Sequence, residues 1–149
     1  MPDIVIRPLT AADRAAWTPL WHGYLTFYKA TLPPEIDAIT FDRLTGGQEP
    51  MGGFIAERDG QALGMTNWVI HRTTWSEKPI CYLQDLFTAP EARGSGVGRK
   101  LIDAVNQMAR AKNCFRVYWQ THESNLQAQE LYNKVADKSG FMVYRQPLV

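Results

Sequence analysis

A glycine-rich segment in the middle of the chain constrains the fold more than any other feature. Residues 93–100 read Arg-Gly-Ser-Gly-Val-Gly-Arg-Lys, with glycine at three alternate positions. The apolar run from Ile80 to Thr88 comes before it and is typical of a strand inside a sheet. After it, apolar residues recur at helical spacing. Uncovered backbone N–H groups at the start of a helix attract anions, so this order predicts a phosphate-binding cradle.

Spacing excludes two commoner phosphate-binding motifs. A P-loop, G-x-x-x-x-G-K-[ST], that begins at Gly94 needs glycine at position 99, where the chain has Arg99. The dinucleotide-binding fingerprint G-x-G-x-x-G fits Gly94 and Gly96 but requires glycine at the same position. A surface turn that is merely rich in glycine remains the alternative for this segment taken alone.

Composition narrows the class of protein. A chain of 149 residues, 45% hydrophobic and 21% charged, suits one domain over residues 1–149. A formal charge of +1 predicts no nucleic-acid partner and no polybasic membrane contact. The N-terminus lacks a signal-peptide pattern, and no apolar run approaches the ~20 residues of a membrane span. Cys81 and Cys114 are expected as free thiols of a cytoplasmic protein without a metal, because no His/Cys cluster has ligand spacing.

The pattern along the chain predicts alternating strands and helices. A first strand at residues 4–7 precedes a helix, capped by Thr10 or Asp13, that ends at Pro33-Pro34. The remaining expected elements are a helix from Thr40 to Gly46-Gly47, a hairpin over residues 54–71 turning at Asp59-Gly60, the strand 80–88, the helix after the cradle, a strand 114–119, a helix 126–135 and a closing strand 141–144. This order predicts an α/β fold with a mixed sheet that is antiparallel in its N-terminal half.

Two motifs in this order resemble a known family. Arg93-x-x-Gly96-x-Gly98 after Leu86-Phe87-Thr88, with Asn125-x-x-Ala128-x-x-Leu131-Tyr132 downstream, resembles the acetyl-CoA-binding signature of the GCN5-related N-acetyltransferases (GNAT). The run from Val117 to Asn125 is similar to the fungal Hpa-type histone and polyamine acetyltransferases and their bacterial relatives. The resemblance implies their acyl-CoA N-acyltransferase fold, a twisted, mostly antiparallel mixed sheet flanked by helices.

The resemblance also implies a cofactor, acetyl-CoA, and residues that hold it. In similar enzymes the backbone of Leu86, Phe87 and Thr88 pairs with the pantetheine arm. Asn125 and Ala128 contribute to the same site, and Tyr132 is the acid beside the sulfur. The pyrophosphate would lie on the cradle amides, with charge-assisted contacts from its two arginines; the cradle residues are Arg93, Gly94, Ser95, Gly96, Val97, Gly98 and Arg99. Structural alternatives are a packing role for Tyr132 and a helix N-cap role for Asn125.

A catalytic base is needed because a primary amine is protonated at neutral pH. Relatives often carry two consecutive acids on the central strand, where this chain has Gln84-Asp85. Neighbours on a strand point to opposite faces, so Asp85 is the candidate if its side chain faces the cleft. The alternative is a buried acid tied to a neighbouring element. Glu123, His122 and a water relay are further candidates for the base.

An aromatic stripe at helical spacing is the candidate acceptor site. Trp17, Trp21, Tyr24 and Tyr28 either pack in the core or wall a cleft for a cationic amine. We expect the acceptor to contact Trp21, Tyr24, Tyr28, Gln84 and Glu123. No acidic cluster selects a polyamine, so a small amine, an amino acid, a polyamine and a protein lysine all remain open.

The function predicted is acetyl transfer from acetyl-CoA to a primary amine, by direct attack in a ternary complex. A non-catalytic acyl-CoA-binding sensor is the alternative of a different class, and a different nucleotide-binding enzyme is a third. The partner is a small-molecule or peptide amine. A homodimer or larger homo-oligomer is also expected, and Trp119 or Tyr144 could serve its interface.

Overall fold

A five-stranded sheet organises the protein. The computed structural model describes residues 2–149, and Met1 of the predicted domain lies outside them. The strands are β1 (Val5–Pro8), β2 (Met51–Arg58), β3 (Gln61–His71), β4 (Ile80–Thr88) and β5 (Arg116–Tyr118). The helices are α1 (Arg14–Phe27), α2 (Glu35–Thr45), α3 (Val97–Ala111) and α4 (Leu126–Val135), with short 3-10 turns at Ala11–Asp13 and Pro90–Ala92.

The strands lie in the sheet in chain order, β1 to β5. Each pair from β1 to β4 is antiparallel, and β5 runs parallel to β4. Asp59 and Gly60 both have positive φ, 51° and 76°, as the tight turn of the β2–β3 hairpin requires. The predicted hairpin and the mixed, mostly antiparallel sheet are therefore confirmed.

Helices cover both faces of the sheet. On one face, α1 and α2 bury Trp17 and Phe41 against Ile55 and Met65 of the hairpin. On the other face, Ile102 of α3 packs with residues of β4 and with the apolar side of α4. The approach of α1 is close at Gly23, where an added Cβ would stand 2.7 Å from the Phe87 ring. The first helix is thereby pressed onto the central strand.

The bounds of the first two helices differ from those predicted. The helix α1 ends at Phe27, ahead of Pro33-Pro34, because Lys29 adopts a left-handed conformation with φ 55° that terminates it. The helix α2 begins at Glu35, not at Thr40. Pro34 has helical φ of −56° at its N-cap, and its fixed φ is preorganised for a helix start.

The predicted closing strand at residues 141–144 is wrong. These residues form no strand, although a short apolar run of this kind suits one. A strand needs a neighbour for its N–H and C=O groups, and β5, the outer strand on this side, is only three residues long. The predicted strand 114–119 is correspondingly shorter, Arg116–Tyr118. Among residues 2–149, no helix combines the length and the apolar character that crossing a bilayer demands.

Candidate active site

The glycine segment forms an open cradle at the start of α3. Gly94 and Gly96 have φ of 81° and 86°, and an added Cβ at either would meet no atom within 4 Å. Within residues 2–149, the backbone N–H groups of residues 94–99 donate to no protein acceptor, and Lys100 is the first to donate in helical fashion, to Gly96 at 3.1 Å. Free N–H groups beside an empty space at a helix N-terminus fit a diphosphate.

The side chains of the cradle differ in direction. Val97 is buried and anchors the segment, whereas Arg99 is exposed at its rim. The Ser95 hydroxyl donates to the carbonyl of Ala92. The guanidinium of Arg93 lies over the rings of Phe27 and Phe87, 5.8 and 5.9 Å from their centroids. Arg93 thus lies at the border between the cradle and α1.

A gap opens between β4 and β5 next to the cradle. The two strands pair only from Ile80–Arg116 to Tyr82–Tyr118, and β4 continues to Thr88 without β5. Leu86, Phe87 and Thr88 lie on this continuation. Its open edge offers backbone N–H and C=O groups to an extended ligand.

Helix α4 and the loop before it form the other side of the gap. Asn125 caps α4, with its side-chain oxygen accepting from the Ala128 N–H at 3.4 Å. This is the structural role foreseen for Asn125. The hydroxyl of Thr121 is buried without a partner in the structure of residues 2–149. A buried polar atom of this kind fits a site that a polar ligand completes.

A β-bulge at Gln84 decides which side chains of β4 face α1. Asn67 of β3 pairs with Asp85, but the next residue, Trp68, pairs with Leu83, so Gln84 has no partner on β3. Leu83 and Leu86 consequently pack in one cluster under α3. Asp85 points to the opposite face, towards α1, and Gln84 is exposed.

Asp85 is held in a buried polar network. The Asn67 amide donates to its carboxylate at 3.0 Å, while the Trp17 indole N–H donates to the Asn67 oxygen at 3.4 Å. Burial raises the pKa of Asp85, and hydrogen bonds from Asn67 and Tyr24 oppose that shift. The pKa of the Tyr24 phenol is also raised, by burial and by the nearby Asp85. The carboxyl is thus a shielded group with an elevated pKa.

Aromatic rings form two walls above Asp85. On α1, Tyr24 stacks on Trp21 at 5.8 Å and contacts Tyr28 at 5.0 Å. On the sheet, Tyr82 and Tyr118 stack with centroids 4.7 Å apart. The bulge at Gln84 puts Tyr82 on the same side of β4 as Asp85, and burial, then Tyr118 and Asp85, raises the pKa of Tyr82. Trp21 is buried, with 6% exposed, and donates to Asp37, so it belongs to the core and not to the cleft.

Tyr132 lies on α4 at the far side of the gap. Its ring meets Trp119 edge-on at 5.6 Å. Burial and, second, the nearby Tyr28 raise the pKa of Tyr132 to about 12. Its phenol therefore keeps its proton throughout the neutral range.

The other candidate bases lie outside this cluster. Glu123 and His122 are exposed in the loop before α4, where their carbonyl groups accept from the Gln129 side chain. The imidazole of His122 bonds to Ser124. Of the acidic candidates, only Asp85 lies between the aromatic walls.

Sequence reasoning missed Asn67, Tyr82, Tyr118 and His71, whose Nε2 lies 2.8 Å from the Tyr118 hydroxyl. Their positions depend on cross-strand register, which no local pattern reveals. A polar residue inside an apolar strand, Asn67, was the one available signal.

A groove of about 740 Å³ lies beside the cradle, between α1 and the end of β4. It is lined by apolar groups that include Gly23, Phe27, Phe87 and Ala89, and Arg93 is part of its wall. Asp85 and the tyrosines of the cleft do not line it. The groove is therefore separate from the cleft between the two aromatic walls.

Comparison with known proteins agrees with this geometry. The acetyltransferase (GNAT) family matches residues 17–136. The D-amino-acid N-acetyltransferase HPA3 of Saccharomyces cerevisiae is 36% identical over 145 residues, 96% of this chain and 90% of that protein. An uncharacterized N-acetyltransferase of Bacillus subtilis, YhfO, is 31% identical over 142 residues, 93% of this chain and 94% of that protein.

A solved structure has the same fold. The aminoglycoside N-acetyltransferase AAC(6')-Iy in complex with CoA superposes with a TM-score of 0.86 at 19% identity, over 100% of this chain and 97% of that one. The predicted fold class is confirmed, as is the resemblance noted in the sequence. The chain belongs to the GNAT family and is an acetyl-CoA-dependent N-acetyltransferase.

Proposed function

We propose that the enzyme acetylates a primary amine bound between the two aromatic walls, by direct attack in a ternary complex. The observation that carries this proposal is the Asp85 carboxyl on the floor of that cleft, beside the point where β4 and β5 part. An ammonium group is attracted both by a carboxylate and by the faces of tyrosine rings. Tyr24 and Tyr28 supply one wall, with Tyr82 and Tyr118 opposite. Exposed Gln84 and Glu123 border the approach to the cleft.

The cofactor would be held by the cradle and by the gap. The free N–H groups of residues 94–99 bind the diphosphate, and Arg93 and Arg99 flank it. The open edge of Leu86–Thr88 pairs with the pantetheine amides, and α4 closes the other side with Asn125 and Ala128. When bound, acetyl-CoA supplies an activated acetyl thioester. The gap would bring that thioester to the level of Asp85.

Two protons must leave the acceptor nitrogen during the reaction. One ends on the sulfur of CoA and the other is released to solvent, since an ammonium and a thioester become an amide and a thiol. Asp85 orients the ammonium and can take a proton from nitrogen, because its raised pKa makes it a better base than an ordinary carboxylate. The Tyr132 phenol, with a pKa of about 12, can donate to a departing thiolate.

A small-molecule amine is the acceptor that we propose. The relative HPA3 is named for D-amino acids, and AAC(6')-Iy has been solved with a bisubstrate analogue of CoA and an acetylneamine. Both acceptors are small amines, and the cleft between two aromatic walls suits such a size.

We further propose that residues 1–149 act as one domain, in the cytoplasm, as a homodimer or larger homo-oligomer. The free thiols Cys81 and Cys114 support a reducing compartment. Exposed apolar side chains in residues 141–144 support association between copies.

Substitution of the two central groups tests the proposed function. We expect Asp85→Asn and Tyr132→Phe each to lower kcat by about tenfold to 100-fold, because each removes one proton-transfer group. Release of the CoA thiol would be followed on a panel of D- and L-amino acids, polyamines and a lysine peptide. Tyr144→Phe, an exposed tyrosine, is the matched control. Unchanged kcat in both site variants would contradict the assigned roles.

A further inference from the structure

Tyr118 occupies a particular place in the sheet. It forms the last β4–β5 pair, with Tyr82, before the two strands separate. Its ring stacks on Tyr82 with an interplanar angle of 11°, and Tyr82 is close enough to Asp85 to be affected by its charge. The Tyr118 ring therefore stands on the acceptor side of the sheet, where the gap begins.

His71 stands behind Tyr118, and its hydrogen bonds define its tautomer. The imidazole Nδ1 lies 2.8 Å from the carbonyl oxygen of Arg72, which can only accept, so Nδ1 carries a proton. In the neutral ring Nε2 is then an acceptor, and the Tyr118 hydroxyl at 2.8 Å donates to it. The lone pairs of the Tyr118 oxygen are left to accept a hydrogen bond from another donor.

We propose that Tyr118 and His71 form a relay that carries one proton from the acceptor ammonium to solvent. The inference rests on the proposed function and adds the route of the proton that the reaction releases. The ammonium N–H gives its proton to the Tyr118 oxygen as the Tyr118 proton passes to Nε2 of His71. The products are a neutral amine, an intact phenol and an imidazolium that still donates from Nδ1 to Arg72. The imidazolium then loses a proton to water.

Exposure explains why the relay, and not Asp85, serves as the exit to solvent. Asp85 is partly buried, and the Asn67 amide donates to its carboxylate. His71 is exposed at the end of β3. Burial raises the pKa of Tyr118, so its phenol remains protonated and passes protons on without becoming a lasting phenolate. Asp85 orients the acceptor nitrogen and accepts the second proton that leaves it.

The charges around His71 favour release of the proton. The next residue along the chain is Arg72, and the cross-strand row of His71 runs through β4 to Arg116 of β5, the strand whose Tyr118 bonds to the imidazole. Ile80 lies opposite His71 on β4 and carries no charge. Among the described residues no carboxylate lies within salt-bridge distance of His71. An imidazolium formed there has no anion to retain it.

The pH dependence of His71→Gln and Tyr118→Phe tests the relay. Glutamine keeps a hydrogen bond to Tyr118 but takes up no proton, and phenylalanine keeps the stack on Tyr82. With the best acceptor of the amine panel, we expect each variant to lower kcat by about tenfold or more with little change in KM. We expect the double variant to be no slower than either single variant, since the two groups act as a unit. The pH profile of kcat should differ between wild type and His71→Gln, whereas His22→Gln should keep the wild-type profile.

Chemical rescue separates proton transfer from a structural role. Imidazole added to His71→Ala should restore activity in proportion to its unprotonated fraction, and imidazole should not stimulate Tyr118→Phe. His22→Gln and Tyr144→Phe are matched controls and should behave as wild type. An active wild type whose His71→Gln variant keeps the same kcat and pH profile would overturn the relay, as would absence of rescue. Wild-type protein that acetylates no amine of the panel would instead overturn the proposed function.

Discussion

Asp13 is the most strongly paired carboxylate at the N-terminal end of the molecule. Both of its oxygens accept from the Arg7 guanidinium at 2.8 Å, and the same guanidinium bonds to Glu57 at 2.9 Å. Hydrogen bonds from Arg7 hold the pKa of Asp13 at about 2, below its usual 3.8. The lowered value adds stability that is fully present above about pH 4 and is lost as the pH falls through about 2.

Asp13→Asn should therefore lose stability in a pH-dependent way. The shift in pKa corresponds to about 2 kcal/mol at neutral pH. We expect the variant to be less stable than wild type by that amount at pH 7, with the difference shrinking between pH 4 and 2. Urea denaturation across this range measures it. Asp103→Asn, on the exposed side of α3, is the control. A difference that stays constant down to pH 2 would contradict the argument.

The site could be predicted from the sequence only in part at this scale. Strand alternation predicted only that Gln84 and Asp85 face opposite sides, and Asp85 was the candidate because it is the carboxylate of the pair; in the structure Gln84 is exposed and Asp85 is partly buried. The bulge that sets Tyr82 on the same side as Asp85 lies in the pairing of β3 with β4, and nothing in the local sequence marks it. Tyr118 and His71 were likewise out of reach, because three strands must come together before they meet.

The cradle shows how an element can depend on backbone conformation. Gly96 is the N-cap of α3 and takes the left-handed φ of 86° that turns the chain into the helix. Gly47, after α2, has a similar φ of 73°. An added Cβ meets no atom at either position, so the cost of a side chain is conformational in both. Only Gly96 stands beside the free N–H groups.

Gly96→Ala and Gly47→Ala form a matched pair. We expect each to lower the free energy of unfolding by about 1 kcal/mol, from left-handed strain. Only Gly96→Ala should raise KM for acetyl-CoA, by about tenfold, because its methyl group occupies the space that the diphosphate needs. Thermal denaturation and initial rates measure the two effects. Equal KM values for acetyl-CoA in both variants would show that the cradle does not bind the cofactor.

Elements with a strong local signal were predicted well. The hairpin, β4 and α4 have the predicted bounds or nearly so, since turn residues and apolar periodicity mark them. The C-terminal end of α1 was missed because Lys29 takes the left-handed conformation although it is not a glycine, and the start of α2 was missed because Pro34 lies at its N-cap instead of only ending α1. The segment 141–144 has a strand pattern, but pairing is a property of two segments and not of one.

At the scale of the whole molecule, that segment is the main unburied apolar surface. Phe141, Met142, Val143 and Tyr144 are 64–88% exposed. Four consecutive apolar side chains rarely stay in water without a partner. These features support the proposed homo-oligomer.

Met142→Glu combined with Tyr144→Glu should separate the copies. Charge placed on the apolar run removes the surface that association would bury. We expect sedimentation to show a dimer or larger species for wild type and a monomer for the double variant. Lys138→Glu, a charge change outside the run, should leave the assembly intact. A monomeric wild type, or a double variant that still associates, would contradict this role.

The separation of β4 from β5 has a mechanical consequence. Beyond Tyr82, β4 pairs with β3 but has no strand partner on its other side. A stretch of backbone that on one side lacks hydrogen bonds to a neighbouring strand therefore lies inside the sheet. An extended ligand in the gap between β4 and β5 would form hydrogen bonds like those of an added strand. It would thereby connect strands β1–β4 to β5 and α4. The ligand-bound enzyme is then more rigid than the free enzyme. Part of the binding free energy of the ligand goes into ordering the sheet.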